Sequence, residues 1–361
     1  MQWIVASKIF TGEKWLHDHA VGIENGKILS VVPFADQQNM EFYTNRLLVP
    51  AFIDVQVYGA AGKLFSVFPE AATLSLMNDE FSKEGTILFQ PTAATNSFEV
   101  FKKCIDAVRD YWLQGGRGVH GLHLEGPWIH PEKRGAHVKE HIMQPQIKEV
   151  IELLDYGKEV ITMITLAPEL CSKEVISLIR SRGVVISAGH SMATYAQAME
   201  GFDNGITAVT HLFNAMTPLH HREPGLAAAT MLHPQVRASI IPDGYHVDYA
   251  MITLAKKLMH DRLFAITDAV TDTDRGPYRH VKAGDKYECN GVLSGSALSM
   301  HQAIKNLVHE AGIPLEEALV MCSLAPAKAL GCDHEYGHIA PGYKSNMILL
   351  DENLSLKKLV T

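Results

Sequence analysis

From residue 49 onward, apolar runs of strand character alternate with stretches of helical spacing. The runs span 49–57, 86–94, 118–125, 160–167, 184–190, 207–214, 238–243 and 263–268, and helical patterns at 98–113, 174–182 and 247–260 separate them. A strand joined to the next through a helix returns to the same edge in the same direction, so such strands pair in parallel. Parallel strands buried on both faces read as continuous apolar runs. Eight units of this kind predict an α/β fold, a (β/α)8 TIM-type barrel. In that fold the chemistry gathers at the C-terminal ends of the strands.

Those ends carry a recognisable set of residues. The stretch 184–225 holds one βαβ unit whose two strands end in His190 and His211, with a helix at 195–202 and an Asn204-Gly205 stop between them. Parallel pairing puts both histidines at the same end, and neutral imidazole is the commonest metal ligand. The third run ends in Glu125, closed off by Gly126-Pro127, and the eighth ends in Asp268. Two histidines and one carboxylate with an open position make a catalytic zinc-type ligand set. Asp268 is then free for proton transfer. Glu169, after the fourth run, reads as a helix start.

Composition narrows the partners. The chain of 361 residues has a net charge of −8, and no Lys/Arg-rich run appears. A nucleic-acid surface is therefore not expected, and an anionic substrate must be held by a few local cations. Five scattered cysteines without a C-x-x-C pair fit a reducing cytoplasm. No apolar run approaches the roughly 18 residues of a membrane span, and the N-terminus does not read as a signal peptide.

Both chain ends are β-rich. Asn25-Gly26 marks a hairpin, and the tail at 337–350 returns to strand character. The expected organisation is a small β-sandwich built from 1–48 and 335–361 beside a barrel spanning 49–334. A hairpin at 282–296 is expected over the barrel mouth, followed by helices at 298–311 and 315–330.

The motifs Pro50-Ala51-Phe52-Ile53-Asp54, His123-Leu124-Glu125-Gly126-Pro127-Trp128, Ser187-Ala188-Gly189-His190-Ser191, Thr210-His211-Leu212-Phe213-Asn214-Ala215-Met216, Arg222-Glu223-Pro224-Gly225, Asp243-Gly244-Tyr245-His246, Thr267-Asp268-Ala269 and Leu293-Ser294-Gly295-Ser296 run in order along nearly the whole chain. In them the chain resembles the amidohydrolase superfamily, and within it the deacetylases of phosphorylated amino sugars. The resemblance implies a composite β-sandwich, a barrel and a homodimer. It implies that Glu125, His190 and His211 bind one divalent metal per subunit, zinc first, with iron, manganese or cobalt acceptable to the same ligands. Asp268 would be general base and acid. Ala136 and His137 would lie near the sugar and acetyl group, and Leu293, Ser294 and Gly295 would present backbone to the sugar. Asn214, Ala215, Arg222 and His246 would hold the phosphate, with Arg222 reaching in from the partner subunit.

Three departures stand out. Many superfamily members carry His-x-His at the end of the first strand, holding a second metal; here the residues are Gln56-Val57-Tyr58. Tyr58 stands where this branch tends to have Asn, and Ala51 where Gly is usual. The sequence leaves the gluco and galacto epimers both open. A non-catalytic scaffold relative would be expected to have lost Asp268 or a metal ligand, and this chain keeps all four.

Overall fold

The computed structural model describes residues 1–35 and 39–360. Eight strands, Phe52–Val57, Thr86–Ala94, Leu122–Glu125, Ile161–Leu166, Val185–Ala188, Ala208–Val209, Arg237–Ile240 and Leu263–Ala265, form one parallel sheet in chain order. The end of the first strand meets the residues just past the eighth: the Tyr58 amide donates to the Ala269 carbonyl at 2.8 Å, and the Asp268 amide to that of Gln56 at 3.1 Å. The barrel is thereby nearly closed, as the alternating pattern predicts.

Several strands stop earlier than the apolar runs do. The runs at 184–190 and 207–214 shrink to Val185–Ala188 and Ala208–Val209. The chain turns sharply there, with φ of 48° at His190, 34° at His211 and 55° at Asp268. Such values are uncommon outside glycine and cluster where function holds a backbone in place.

Two of the helices between the strands begin on clear side-chain caps. Ser97 accepts from the Val100 amide ahead of Phe98–Leu113, and Thr194 with Gln197 forms a capping box on Tyr195–Asp203. The single helix expected at 315–330 is instead two, Leu315–Cys322 and Leu324–Leu330, broken at Ser323. Pro326 explains the break, because its ring would clash with the Cys322 carbonyl in a continuous helix and it has no amide to donate.

The two chain ends share a seven-stranded sheet. Its strands are Gln2–Phe10, Trp15–Leu16, His19–Glu24, Lys27–Pro33, Met40–Pro50, Met347–Leu350 and Leu356–Val360. Asn25 and Gly26 both take positive φ, 52° and 72°, as a two-residue I′ hairpin requires. Met347–Leu350 pairs antiparallel with Met40–Pro50, and Ile4, Ile9, Val21, Ile28, Leu48 and Leu349 close a separate apolar core. The expected hairpin at 282–296 is a three-stranded sheet, His280–Ala283, Lys286–Cys289 and Val292–Ser296. No helix among the described residues is long and apolar enough to cross a membrane.

Candidate active site

A cavity of about 320 Å³ opens at the C-terminal end of the barrel. Glu125, Ala136, His137, His190, His211, Asn214, Ala215, His246, Asp268, Leu293, Ser294 and Gly295 all line it. Arg222 does not; it is exposed on the loop beyond Met216. Glu169 has a supporting place: its carboxylate accepts from the Ser191 hydroxyl at 2.7 Å and the Met192 amide at 2.6 Å. It thus holds the turn that presents His190.

Glu125 is the centre. Its Oε1 lies 3.2 Å from His190 Nε2 and 3.1 Å from His211 Nε2. Its Oε2 lies 3.0 Å from His137 Nε2 and accepts from the Tyr58 hydroxyl. Burial alone would raise this carboxyl, but the neighbouring His137 and His190 imidazoles outweigh burial and hold it well below the usual range. Across the cavity, burial raises the Asp268 carboxyl above its ordinary value. Gln56 Nε2 ties the two acids together, 3.0 Å from Glu125 Oε1 and 2.7 Å from Asp268 Oδ1.

The histidines divide by tautomer. His190 Nδ1 sits 2.7 Å from the Lys133 carbonyl, so it carries the proton and leaves the Nε2 lone pair facing inward. That is the form of a metal ligand. The Thr95 amide points at His137 Nδ1 from 3.3 Å, which makes Nδ1 an acceptor and puts the proton on Nε2, toward Glu125. His137 is thereby a hydrogen-bond donor to the cavity, and burial lowers its pKa to about 4.

His190 Nε2 and His211 Nε2 face each other at 3.1 Å, and His211 Nδ1 is buried without a partner. Two lone pairs at that distance repel unless a proton or a cation lies between them. A metal ion therefore fits these residues. By distance alone, Glu125, His137 and His190 also form a group whose ligand atoms lie within 4.8 Å of one another. The direction of the Thr95 amide favours His211 over His137 as the third ligand.

Farther along the wall, His246 Nδ1 is 2.6 Å from Asp243 Oδ2, and burial of Asp243 is outweighed by this bond, which lowers its pKa. The His246 ring is thus held in one orientation at the rim. Sequence reasoning missed Tyr278 and His280, which line the cavity from the segment after the eighth strand. Neither stands at the end of one of the eight barrel runs or in a recognised motif, so nothing in the sequence singled them out.

The chain matches the Amidohydrolase family over residues 47–361 and the NagA composite domain over residues 2–40. It is 35% identical to the N-acetylglucosamine-6-phosphate deacetylase of Danio rerio, over 93% of this chain and 89% of that protein. It is 31% identical to the N-acetylgalactosamine-6-phosphate deacetylase of Escherichia coli O157:H7, over 98% of this chain and 96% of that one. The crystal structure of N-acetylglucosamine-6-phosphate deacetylase from Pasteurella multocida superimposes with a TM-score of 0.94 at 33% identity, covering 99% of this chain and 97% of the other. With a buried carboxylate ringed by imidazoles at the mouth of such a barrel, the chain belongs to the amidohydrolase family.

Proposed function

We propose that this protein removes the acetyl group from N-acetyl-D-glucosamine 6-phosphate, giving D-glucosamine 6-phosphate and acetate. One observation carries the reading. Glu125 is ringed by three imidazole nitrogens at 3.0–3.2 Å, and Gln56 links it to a second buried carboxylate, Asp268. Relatives that bear this activity's name in one animal, Danio rerio, and one bacterium, Haemophilus influenzae, support the choice of substrate.

Glu125, His190 and His211 would hold one divalent ion, zinc first among zinc, iron, manganese and cobalt. When bound, the ion polarises the amide carbonyl and makes water acidic enough to attack near neutral pH. Asp268 accepts the proton of the attacking water at a carboxylate oxygen and passes it to the departing amine. Gln56 holds Oδ1 of Asp268 at 2.7 Å and so aims the carboxylate. Burial raises its pKa, which strengthens it as a base near neutrality. His137 presents Nε2–H to the developing oxyanion, a contact worth on the order of 3 kcal/mol.

His246, Asn214 and Ala215 face the phosphate, and Arg222 completes its site from the partner of a homodimer. Guanidinium suits that place because it makes two parallel bonds to phosphate. The remote phosphate supplies binding energy that positions the acetamide. The same reading divides the chain into a barrel unit at 49–334 and a composite unit at 1–48 with 335–361, in a cytoplasmic enzyme.

The experiment is acetate release from N-acetylglucosamine 6-phosphate, beside the unphosphorylated sugar and the galacto epimer phosphate. Turnover of the gluco phosphate above the other two is expected. Preference for the galacto phosphate, in line with the Escherichia coli relative, would reassign the sugar. No release from any of them by the metal-loaded protein would overturn the reading.

A further inference from the structure

Tyr58 is the residue that the family resemblance leaves without a role. Its hydroxyl is engaged, donating to Glu125 Oε2, with Gln56 Nε2 2.8 Å away. The ring is left to pack. It joins Leu64, Ala94, Val270 and Tyr278 in an apolar cluster apart from the barrel core, and all five residues also line the active-site cavity.

These residues come from one arc of the barrel mouth. Tyr58 and Leu64 follow the first strand, Ala94 ends the second, and Val270 and Tyr278 follow the eighth. The groups assigned to the phosphate, Asn214, Ala215 and His246, come from a different arc, after the sixth and seventh strands. Glu125 and Asp268 contact the apolar arc through Tyr58 and Gln56.

Resting on the deacetylase reading, we infer that this apolar recess receives the alkyl end of the acyl group and limits the substrate to a two-carbon acyl chain. The chemistry of the substrate carries the direction. In a 2-acetamido-6-phospho sugar, C2 lies across the ring from C5, which bears the phosphorylated C6. With the phosphate on one arc and the carbonyl at the Glu125 cluster, the methyl group points onward, away from the phosphate. The surface it meets is apolar where a methyl group needs it to be. The polar neighbours there satisfy each other, His280 Nδ1 lying 2.8 Å from the Ser294 hydroxyl.

The recess is also rigid enough to measure size. The Tyr278 hydroxyl donates to the Thr95 carbonyl at 2.5 Å and accepts from the Val138 amide at 3.4 Å, which fixes the ring at its tip. Val270 is packed against Gly295, where even an added Cβ would lie 2.5 Å from Val270 Cγ1. Close-packed walls of this kind do not swell cheaply for an extra methylene.

The test is a comparison of kcat/KM for the N-formyl, N-acetyl, N-propionyl and N-butyryl derivatives of glucosamine 6-phosphate. It uses the metal-loaded wild type, Val270→Ala, which deepens the recess, and Ala94→Val, which fills it. One methylene in an apolar pocket changes selectivity by roughly 10–200-fold. The wild type is expected to prefer acetyl over propionyl by about tenfold or more on that scale. Val270→Ala should raise the propionyl-to-acetyl ratio by about tenfold, and Ala94→Val should shift preference toward formyl by a similar factor.

The inference falls if the wild type hydrolyses propionyl and butyryl as fast as acetyl. It falls equally if both variants release acetate while their acyl ratios stay within about twofold of wild type, well below the change expected for one methylene. Absence of acetate release from the wild type would instead remove the deacetylase reading, and the inference with it. Two variants of opposite sign protect the test against one misfolding, and metal content with thermal midpoint identifies that case.

Discussion

Replacing Asp268 by Asn separates the proton-transfer role from everything else the residue does. The backbone there has φ of 55°, and Asn is among the few side chains that adopt this region readily. The amide oxygen of Asn can still accept from Gln56 Nε2, as Asp268 Oδ1 does at 2.7 Å. The main-chain bonds of residue 268, its amide to Gln56 and its carbonyl from the Ser296 amide at 3.0 Å, do not involve the side chain. What is lost is the ability to take a proton. A positioned acid or base contributes about 10²–10⁴ in rate, and Asp268 serves in both steps. The expected loss in kcat is therefore about 10³–10⁴-fold, or about 4–5.5 kcal/mol at 1.36 kcal/mol per decade.

Stability should move the other way. Burial raises the folded pKa of Asp268, so its contribution is complete at low pH and is lost as pH rises through that value. Asn has no such dependence, and the variant should be at least as stable as wild type at pH 8. The assays are single-turnover acetate release, metal content and the thermal midpoint. Turnover within about tenfold of wild type, below the smallest loss a general base accounts for, would refute the role.

Asp54 is the sharper case for pH. Burial lifts its pKa from 3.8 to about 7, against opposing hydrogen bonds from Thr267 and Gln56. Its contribution is complete below 3.8 and is lost as pH rises through about 7; at 1.36 kcal/mol per unit the span is about 4 kcal/mol. Asp54→Asn should remove that slope in urea melts at pH 5 and pH 8, and parallel wild-type and variant profiles would contradict it. In Gly189→Ala, the new Cβ would lie 2.8 Å from Thr165 Cγ2 and 3.0 Å from Thr210 Cβ. Overpacking of that kind costs about 1–3 kcal/mol, and because His190 follows directly, calorimetry should show a lower midpoint together with weaker metal retention. Chelation should destabilise the loaded protein by about 2.7 kcal/mol when the ion had been present at 100 times its Kd; a midpoint unmoved by chelation and re-addition would mean that no folded-state ion is held.

The sequence made the barrel legible because its signal is local and repeated. Runs such as Phe52–Val57 and Thr86–Ala94 are buried almost throughout, and the second is followed by the amphipathic helix Phe98–Leu113, capped by Ser97. The positions of His190, His211, Glu125 and Asp268 at strand ends follow from that repeat. Parallel strands in a barrel bring such ends to a single rim whatever the loops between them do. The small domain was legible in composition at both termini, and the Asn25-Gly26 turn fixed one of its hairpins.

Local sequence did not show which side chains meet. That Gln56 bridges Glu125 and Asp268 depends on closure of the first strand against the eighth, a contact between residues 212 apart. The donor role of His137 depends on the direction of the Thr95 amide, 42 residues away. Tyr58 read as a departure from a family pattern, and only packing with Leu64, Ala94, Val270 and Tyr278 turns it into one wall of a recess. A residue's periodicity reports which face of its own element it occupies. Hydrogen-bond direction, tautomer and cavity shape are properties of several elements at once, so they appear only when the barrel closes.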